Sequence, residues 1–293
     1  MSTFRVWIEA MRLRTLPVSL AGVIYAGALG LLTWRFSLTP WLLALIFALL
    51  AQIASNFANE YFDFRAGLDR PGREGPRRGV TEGDISPRAM LLATILVLAA
   101  ACLTGVVLVA LYGAWWMYPA GVAIALGVFA YSAGPWPLSR HALGEVAVVI
   151  FFGLVPVCLT YILMAGNCPW WVTASAAGIG LMGANVLIVN NYRDADDDKA
   201  VGKHTLAVVL GRNSVSWIYL ANGYLAATLT LPEWVAAAQW GWIVPCVYVV
   251  AHSSLFVQLR VRSGRRLNPL LGLTAMLMLI YTLAFAGAVL SQM

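Results

Sequence analysis

Two short stretches hold most of the acids of this sequence. In the second, Asn190, Asp194 and Asp198 recur every fourth residue, so a continuing helix would carry them in one stripe. In the first, Asn59 and Asp63 repeat the same step. Asp69 follows six residues later, beyond Gly67, whose freedom in φ permits the bend that would bring it back. Carboxylate and amide oxygens with no His or Cys among them suit a hard cation, Mg²⁺ or Ca²⁺. Mg²⁺ takes one or two carboxylates and completes its shell with water and substrate phosphate. Asp63, Asp69, Asp194 and Asp198 are therefore expected to hold Mg²⁺ against a diphosphate. The cations beside them, Arg65, Arg73, Arg77, Arg78 and Lys203, are expected to meet the outer phosphate oxygens. Asp196 and Asp197 lie off the stripe and are expected in solvent.

The elements that position these residues are membrane helices. The chain has 293 residues, 61% hydrophobic and 11% charged, with a mean hydropathy of +0.78. A soluble domain would carry roughly a quarter charged residues. Apolar runs long enough to cross ~30 Å of hydrocarbon recur throughout, and only packed helices satisfy the backbone of such runs. Nine spans are expected, at 16–34, 39–62, 87–111, 115–133, 143–165, 169–191, 214–231, 241–259 and 268–290, forming an all-α membrane protein of one domain, 1–293. The first follows Arg5, Arg12 and Arg14 without a clear small-residue cleavage site, so it reads as a retained helix.

A cytoplasmic N-terminus puts eighteen of the nineteen Lys and Arg residues on the inner side and only Arg35 outside. Trp34, Trp115, Trp116, Trp170, Trp171 and Trp234 then fall at the outer turns, as an interfacial belt would. The net charge of +6 thus reports topology and anionic lipid, and no nucleic-acid partner is expected. The location expected is a cell membrane, that of a bacterial inner membrane, crossed many times. Cys102, Cys158, Cys168 and Cys246 lack paired spacing, and His141, His204 and His252 are scattered, which argues against a metal site built on either type.

The two acidic loops, 56–79 and 190–211, are related. Asn59, Glu60 and Asp63 precede Asn190, Asn191 and Asp194 by 131 positions each. Four helices separate the two loops, so a parallel duplication of a four-helix unit plus a ninth helix is expected, with both loops facing one central cavity open to the cytoplasmic edge. A diphosphate held at a membrane edge beside an apolar cavity implies a lipid diphosphate. Metal and cations stabilise the departing pyrophosphate, so an allylic C–O bond can ionise, and the cation needs a dry site with an electron-rich acceptor.

"NEYFDFRAGLD" (59–69) and "NNYRDADDDKAVGK" (190–203) resemble the two Asp-rich motifs of the UbiA superfamily of intramembrane prenyltransferases. The likeness runs from "RLRTLP" (12–17) to the ninth helix. "GPRRG" (75–79), "YSAGPWPLSRHALGEV" (131–146), "FFGLVPV" (151–157) and "GKHTLAVVLG" (202–211) resemble its menaquinone branch. One departure is Glu60, where the superfamily usually has Asp. The resemblance implies transfer of a polyprenyl group from polyprenyl diphosphate to 1,4-dihydroxy-2-naphthoate, with loss of CO₂ and diphosphate. It maps Asn59, Asp63, Asp69, Asn190, Asp194 and Asp198 onto the metal–diphosphate motifs, with Arg73, Arg78 and Lys203 as phosphate contacts. Arg14, Tyr131, Arg140 and Glu145 are candidates for the acidic aromatic acceptor. Alternatives are another acceptor such as 4-hydroxybenzoate, or a transporter with an ion gate. The deep parts of the helices carry almost no charge, which disfavours the transporter.

Overall fold

The structure is a computed structural model that describes residues 3–13, 15–69 and 77–293. All regular structure is helical: α1 (Thr3–Met11), α2 (Leu16–Leu32), α3 (Leu38–Arg65), α4 (Pro87–Tyr112), α5 (Met117–Ala130), α6 (Gly144–Val148), α7 (Val155–Ala165), α8 (Trp170–Ala200), α9 (Leu206–Ala237), α10 (Ile243–Val261) and α11 (Asn268–Leu290). A π-helical segment, Val149–Leu154, joins α6 to α7, and 3-10 turns at Leu138–Arg140 and Gly264–Leu267 lead into α6 and α11. Helices thus occupy all nine expected apolar stretches. Six segments are long and apolar enough to cross a membrane: α3, α4, the α6–α7 unit, α8, α10 and α11 with its 3-10 lead. The bent pair of α1 and α2 makes a seventh. Among the described residues, the remaining two are not both long and apolar enough to cross a membrane. α5 is only 14 residues long. α9 is interrupted at Gly211, where φ is 76°, and carries Asn213, Asn222 and Glu233.

α8 is the axis of the bundle, with 72% of its most apolar stretch buried. Lipid tails are as apolar as Leu, so helices in a bilayer associate through close packing of small residues rather than by escape from water. The crossing of α8 with the π-helical segment shows this. A Cβ on Gly153 would fall 2.4 Å from the Gly180 Cα, and a Cβ on Gly180 would fall 2.6 Å from the Val149 carbonyl oxygen. Only glycine allows this approach, and it brings the start of α6 against the C-terminal half of α8. Of the Trp residues expected in an interfacial belt, Trp34, Trp115 and Trp170 are 78%, 80% and 81% exposed, free to meet such an interface. Trp234 departs from it: it is fully buried, packed against Tyr281 and Phe285 in the core. A Trp near a helix end marks an interface only when its face of the helix meets lipid, and that of Trp234 meets α11.

Candidate active site

The first acidic motif lies across a helix end. α3 stops at Arg65, and Gly67 adopts a φ of 67°, where the Leu68 N–H donates to the Asp63 carbonyl at 3.0 Å. The turn folds Asp69 back toward Asp63, and one guanidinium, that of Arg78, lies 3.3 Å from Asp69 Oδ2 and 3.9 Å from Asp63 Oδ2. The bend expected at Gly67 therefore exists. Asn59 sits one turn earlier with its whole amide engaged. Its Oδ1 accepts from Arg12 (2.7 Å) and Arg78 (3.2 Å), and its Nδ2 donates to Asp63 Oδ2 (3.1 Å) and to Ser132 Oγ (3.0 Å). Glu60 turns away from the cluster and accepts from the Val80 N–H at 3.0 Å, pinning the loop that carries Arg78.

The second motif is one unbroken helix to Ala200, as the four-residue spacing requires. Its carboxylates divide into two environments. Asp194 is gripped on both oxygens by the neighbouring Arg193, at 2.7 and 2.8 Å. The same guanidinium donates to Asn190 Oδ1 and to Asn268 Oδ1, each at 2.8 Å, tying α8 to α11. Asp198, one turn on, faces the other motif. Lys203 Nζ stands 3.6 Å from Asp198 Oδ1 and 3.7 Å from Asp63 Oδ2, so a single ammonium bridges the two acidic motifs. Asp196 and Asp197 are exposed, as expected, and Asp196 pairs with Arg212.

Two loops complete the cluster. α5 ends at Ala130, and the "GPWP" turn follows with Gly134 at a φ of 91°. Arg140, on the 3-10 turn after it, donates to the Ser132 carbonyl at 3.0 Å and lies 3.9 Å from Asp63 Oδ1. The His204 N–H donates to the Arg140 carbonyl at 3.1 Å, so the loops bearing Arg140 and Lys203 are joined through their main chains. Glu145, in the first turn of α6, is buried. Its Oε1 accepts from Asn191 Nδ2 at 2.8 Å, and its Oε2 is buried without a hydrogen bond. The Gly153–Gly180 crossing sets that reach. Tyr131 lies beside it: a Cβ on Gly144 would come 3.6 Å from the Tyr131 hydroxyl.

Of the residues expected from sequence, Asn59, Asp63, Asp69, Arg78, Arg140, Asp198 and Lys203 form one cluster. Asn190 and Asp194 join it through the helix they share with Asp198, held by Arg193. Tyr131 and Glu145 border it. Arg65 and Arg77 bind Tyr61 and Asp84 instead. Arg14 and Arg73 lie outside the described residues. Arg12, Arg193, Ser132 and Asn191 also hold site residues, a role that the sequence does not assign them. Arg193 had a signal, as a cation embedded in an apolar helix one residue before an acid.

The oxygen-only donor set fits a hard cation, and Asp63 Oδ1 is buried without a hydrogen-bond donor. The carboxylates are held as cation-bridged pairs, and among the described residues no three acids gather on one point. Above the cluster an apolar cavity of about 410 Å³ runs between α2, α3, α4, α5 and α7. Gln52, Ser55 and Tyr131 line the end nearest the cluster and Leu108, Met117 and Leu163 the far end.

A family profile described as the UbiA prenyltransferase family matches residues 15–283. The 1,4-dihydroxy-2-naphthoate octaprenyltransferase of Mycobacterium tuberculosis is 36% identical over 98% of each chain. Its counterpart from Escherichia coli is 33% identical over 83% of this chain and 81% of its own. A UbiA homologue from Archaeoglobus fulgidus bound to DMAPP and Mg²⁺ superposes with a TM-score of 0.66 at 16% identity, covering 96% of this chain and 99% of its own. One from Aeropyrum pernix in the apo state gives 0.69, also at 16%, covering 94% and 97%.

Proposed function

Since this chain belongs to the UbiA prenyltransferase family, we propose that it transfers a polyprenyl group from polyprenyl diphosphate to 1,4-dihydroxy-2-naphthoate, releasing CO₂ and diphosphate and giving demethylmenaquinol, the reduced form of demethylmenaquinone. The observation that supports this most is the meeting of the two acidic motifs across Lys203 at one end of an apolar cavity. Similarity over 98% and 83% of the chain to enzymes named for that acceptor supports the choice of substrate.

In this reading the diphosphate lies at the Asp63–Asp198 junction and the tail lies in the cavity. Bound Mg²⁺, held by Asp63, Asp69, Asp194 and Asp198, would supply positive charge to the departing diphosphate. Arg78 and Lys203 contact phosphate oxygens and balance charge as the C–O bond lengthens, while Asn59 and Asn190 keep the carboxylates oriented. Arg73 joins them as a phosphate contact. The acceptor lies between Tyr131, Arg140 and Glu145, with Arg14 as a further carboxylate partner. Arg140 receives the carboxylate, and the unbonded Glu145 Oε2 accepts from a ring hydroxyl. The prenyl carbon bonds to the carboxyl-bearing ring carbon, and the electron pair released as CO₂ departs restores the aromatic ring. The cavity's apolar walls exclude the water that would otherwise capture the allylic cation. The same reading takes the helices as nine crossings, four plus four plus one, with the N-terminus cytoplasmic.

With carboxyl-labelled 1,4-dihydroxy-2-naphthoate, a polyprenyl diphosphate and Mg²⁺, label should leave as CO₂ in proportion to product, and EDTA should abolish both. Label kept in the prenylated product would reject the decarboxylating reaction. Turnover only with 4-hydroxybenzoate would reject the acceptor.

A further inference from the structure

The cavity has no polar wall that could recognise one hydrocarbon tail over another, so any choice among tails is made by space. α5 runs along it. Met117, Gly121, Ile124, Val128 and Tyr131 make one inward stripe, buried or half-buried, while Tyr118, Val122, Ala123, Leu126 and Ala130 are exposed. From Tyr131 to Met117 the helix advances about 21 Å. An extended chain gains about 3.6 Å per three bonds, so an isoprene unit of four main-chain bonds takes about 5 Å, and the cavity holds about four units in line. A longer tail has an outlet, because Val106, Val122 and Leu126 line the cavity's side and are 51%, 60% and 62% exposed.

Three glycines line this space, and they differ. A Cβ on Gly105 would meet Phe47 at 3.1 Å, and one on Gly127 would meet Phe151 at 2.7 Å. A Cβ on Gly121 meets nothing within 4 Å, although Gly121 lies on the inward stripe. The space before it is cavity rather than lipid. Gly121 stands ten residues from Tyr131, about 15 Å along the helix, at the depth of the third isoprene unit.

Resting on the reading that this cavity takes the prenyl tail, we propose that Gly121 is the residue that determines tail length, its missing side chain letting a tail longer than about three isoprene units pass along the cavity toward the α4–α5 side. A side chain there would close the path at that depth and leave the part nearest the cluster open. The helix itself should tolerate the change, since glycine is among the poorest helix formers.

The test compares geranyl, farnesyl, geranylgeranyl and octaprenyl diphosphates with wild-type protein and Gly121→Phe. The ratio of kcat/KM for the octaprenyl donor to that for the geranyl donor should fall about tenfold or more, the effect expected of overfilling a packed apolar site. Gly121→Val should show a smaller fall, and it gives the same readout if the Phe variant is inactive. Ala123→Phe, on the exposed face of the same helix, should keep the wild-type ratio. An unchanged ratio in both Gly121 variants, or an equal fall in Ala123→Phe, would overturn the proposal. Wild-type protein that turns over none of the four donors would instead overturn the prenyl-transfer reading, and the proposal with it.

Discussion

Asp63 and Asp194 occupy equivalent places in the two acidic motifs, 131 positions apart, and both are nearly inaccessible, at 1% and 2% exposed. Their surroundings differ in kind. Asp63 stands among Arg78, Arg140 and Lys203, all beyond 3.6 Å, and each of those cations has another partner: Asp69, the Ser132 carbonyl and Asp198. Asp194 is held by its own neighbour, Arg193, through two bonds under 3 Å. The first motif shares its charges loosely across a helix end and two loops. The second holds Asp194 in a tight pair inside a continuous helix, while Asp198 shares Lys203 with the first motif. The same order of residue types therefore sits in two different settings, one sharing its cations at longer range and the other holding a close pair.

The largest effects should come from the two matched acids, and they should differ in what else they damage. Asp63→Ala and Asp194→Ala should each lower turnover by about 100-fold or more, the loss typical of a main electrostatic stabiliser. Asp194→Ala also leaves the buried Arg193 guanidinium without its carboxylate, a loss of about 3–5 kcal/mol of stability. Melting in detergent should show a marked drop for Asp194→Ala and a small one for Asp63→Ala. Equal drops would erase the distinction drawn between the motifs. Lys203→Met, which removes the bridge itself, should reduce kcat/KM for the diphosphate by about 10- to 150-fold, as for loss of a charge-assisted contact. A fall confined to the aromatic acid would place Lys203 on the other substrate. The smallest effect belongs to Asp197→Ala, exposed on the far face of α8. Turnover should stay within about twofold of wild type, and a loss like that of Asp194 would mean that the stripe has been misread.

Much of this was legible where a single physical rule dominates. Apolar length located each of the nine helical stretches, and a four-residue step found the face that carries Asn190, Asp194 and Asp198. The positive φ at Gly67 followed from the need to turn Asp69 around. Other features depend on partners far along the chain. Arg193, which clamps Asp194, is held at its other end by Asn268 of α11, 75 positions away. Lys203 meets both motifs only because the turn at Gly202, with a φ of 75°, aims it back across the junction. Trp234 reads as an interfacial residue by position and composition, yet its face of α9 is covered by Tyr281 and Phe285 of α11. The early start of α9, at Leu206, is apolar enough to be seen, but Gly211, Arg212 and Asn213 separate its first turn from the apolar run that begins at 214.

The main-chain hydrogen bond from His204 to Arg140 carries a consequence for binding order. If the diphosphate engages Lys203 and the aromatic acid engages Arg140, the two ligands pull on one stitched unit rather than on two separate loops. Settling the first would restrict where the second's partner can stand, so the affinities would be linked. Thermodynamic reciprocity then requires the acid to change the grip on the diphosphate by the same factor.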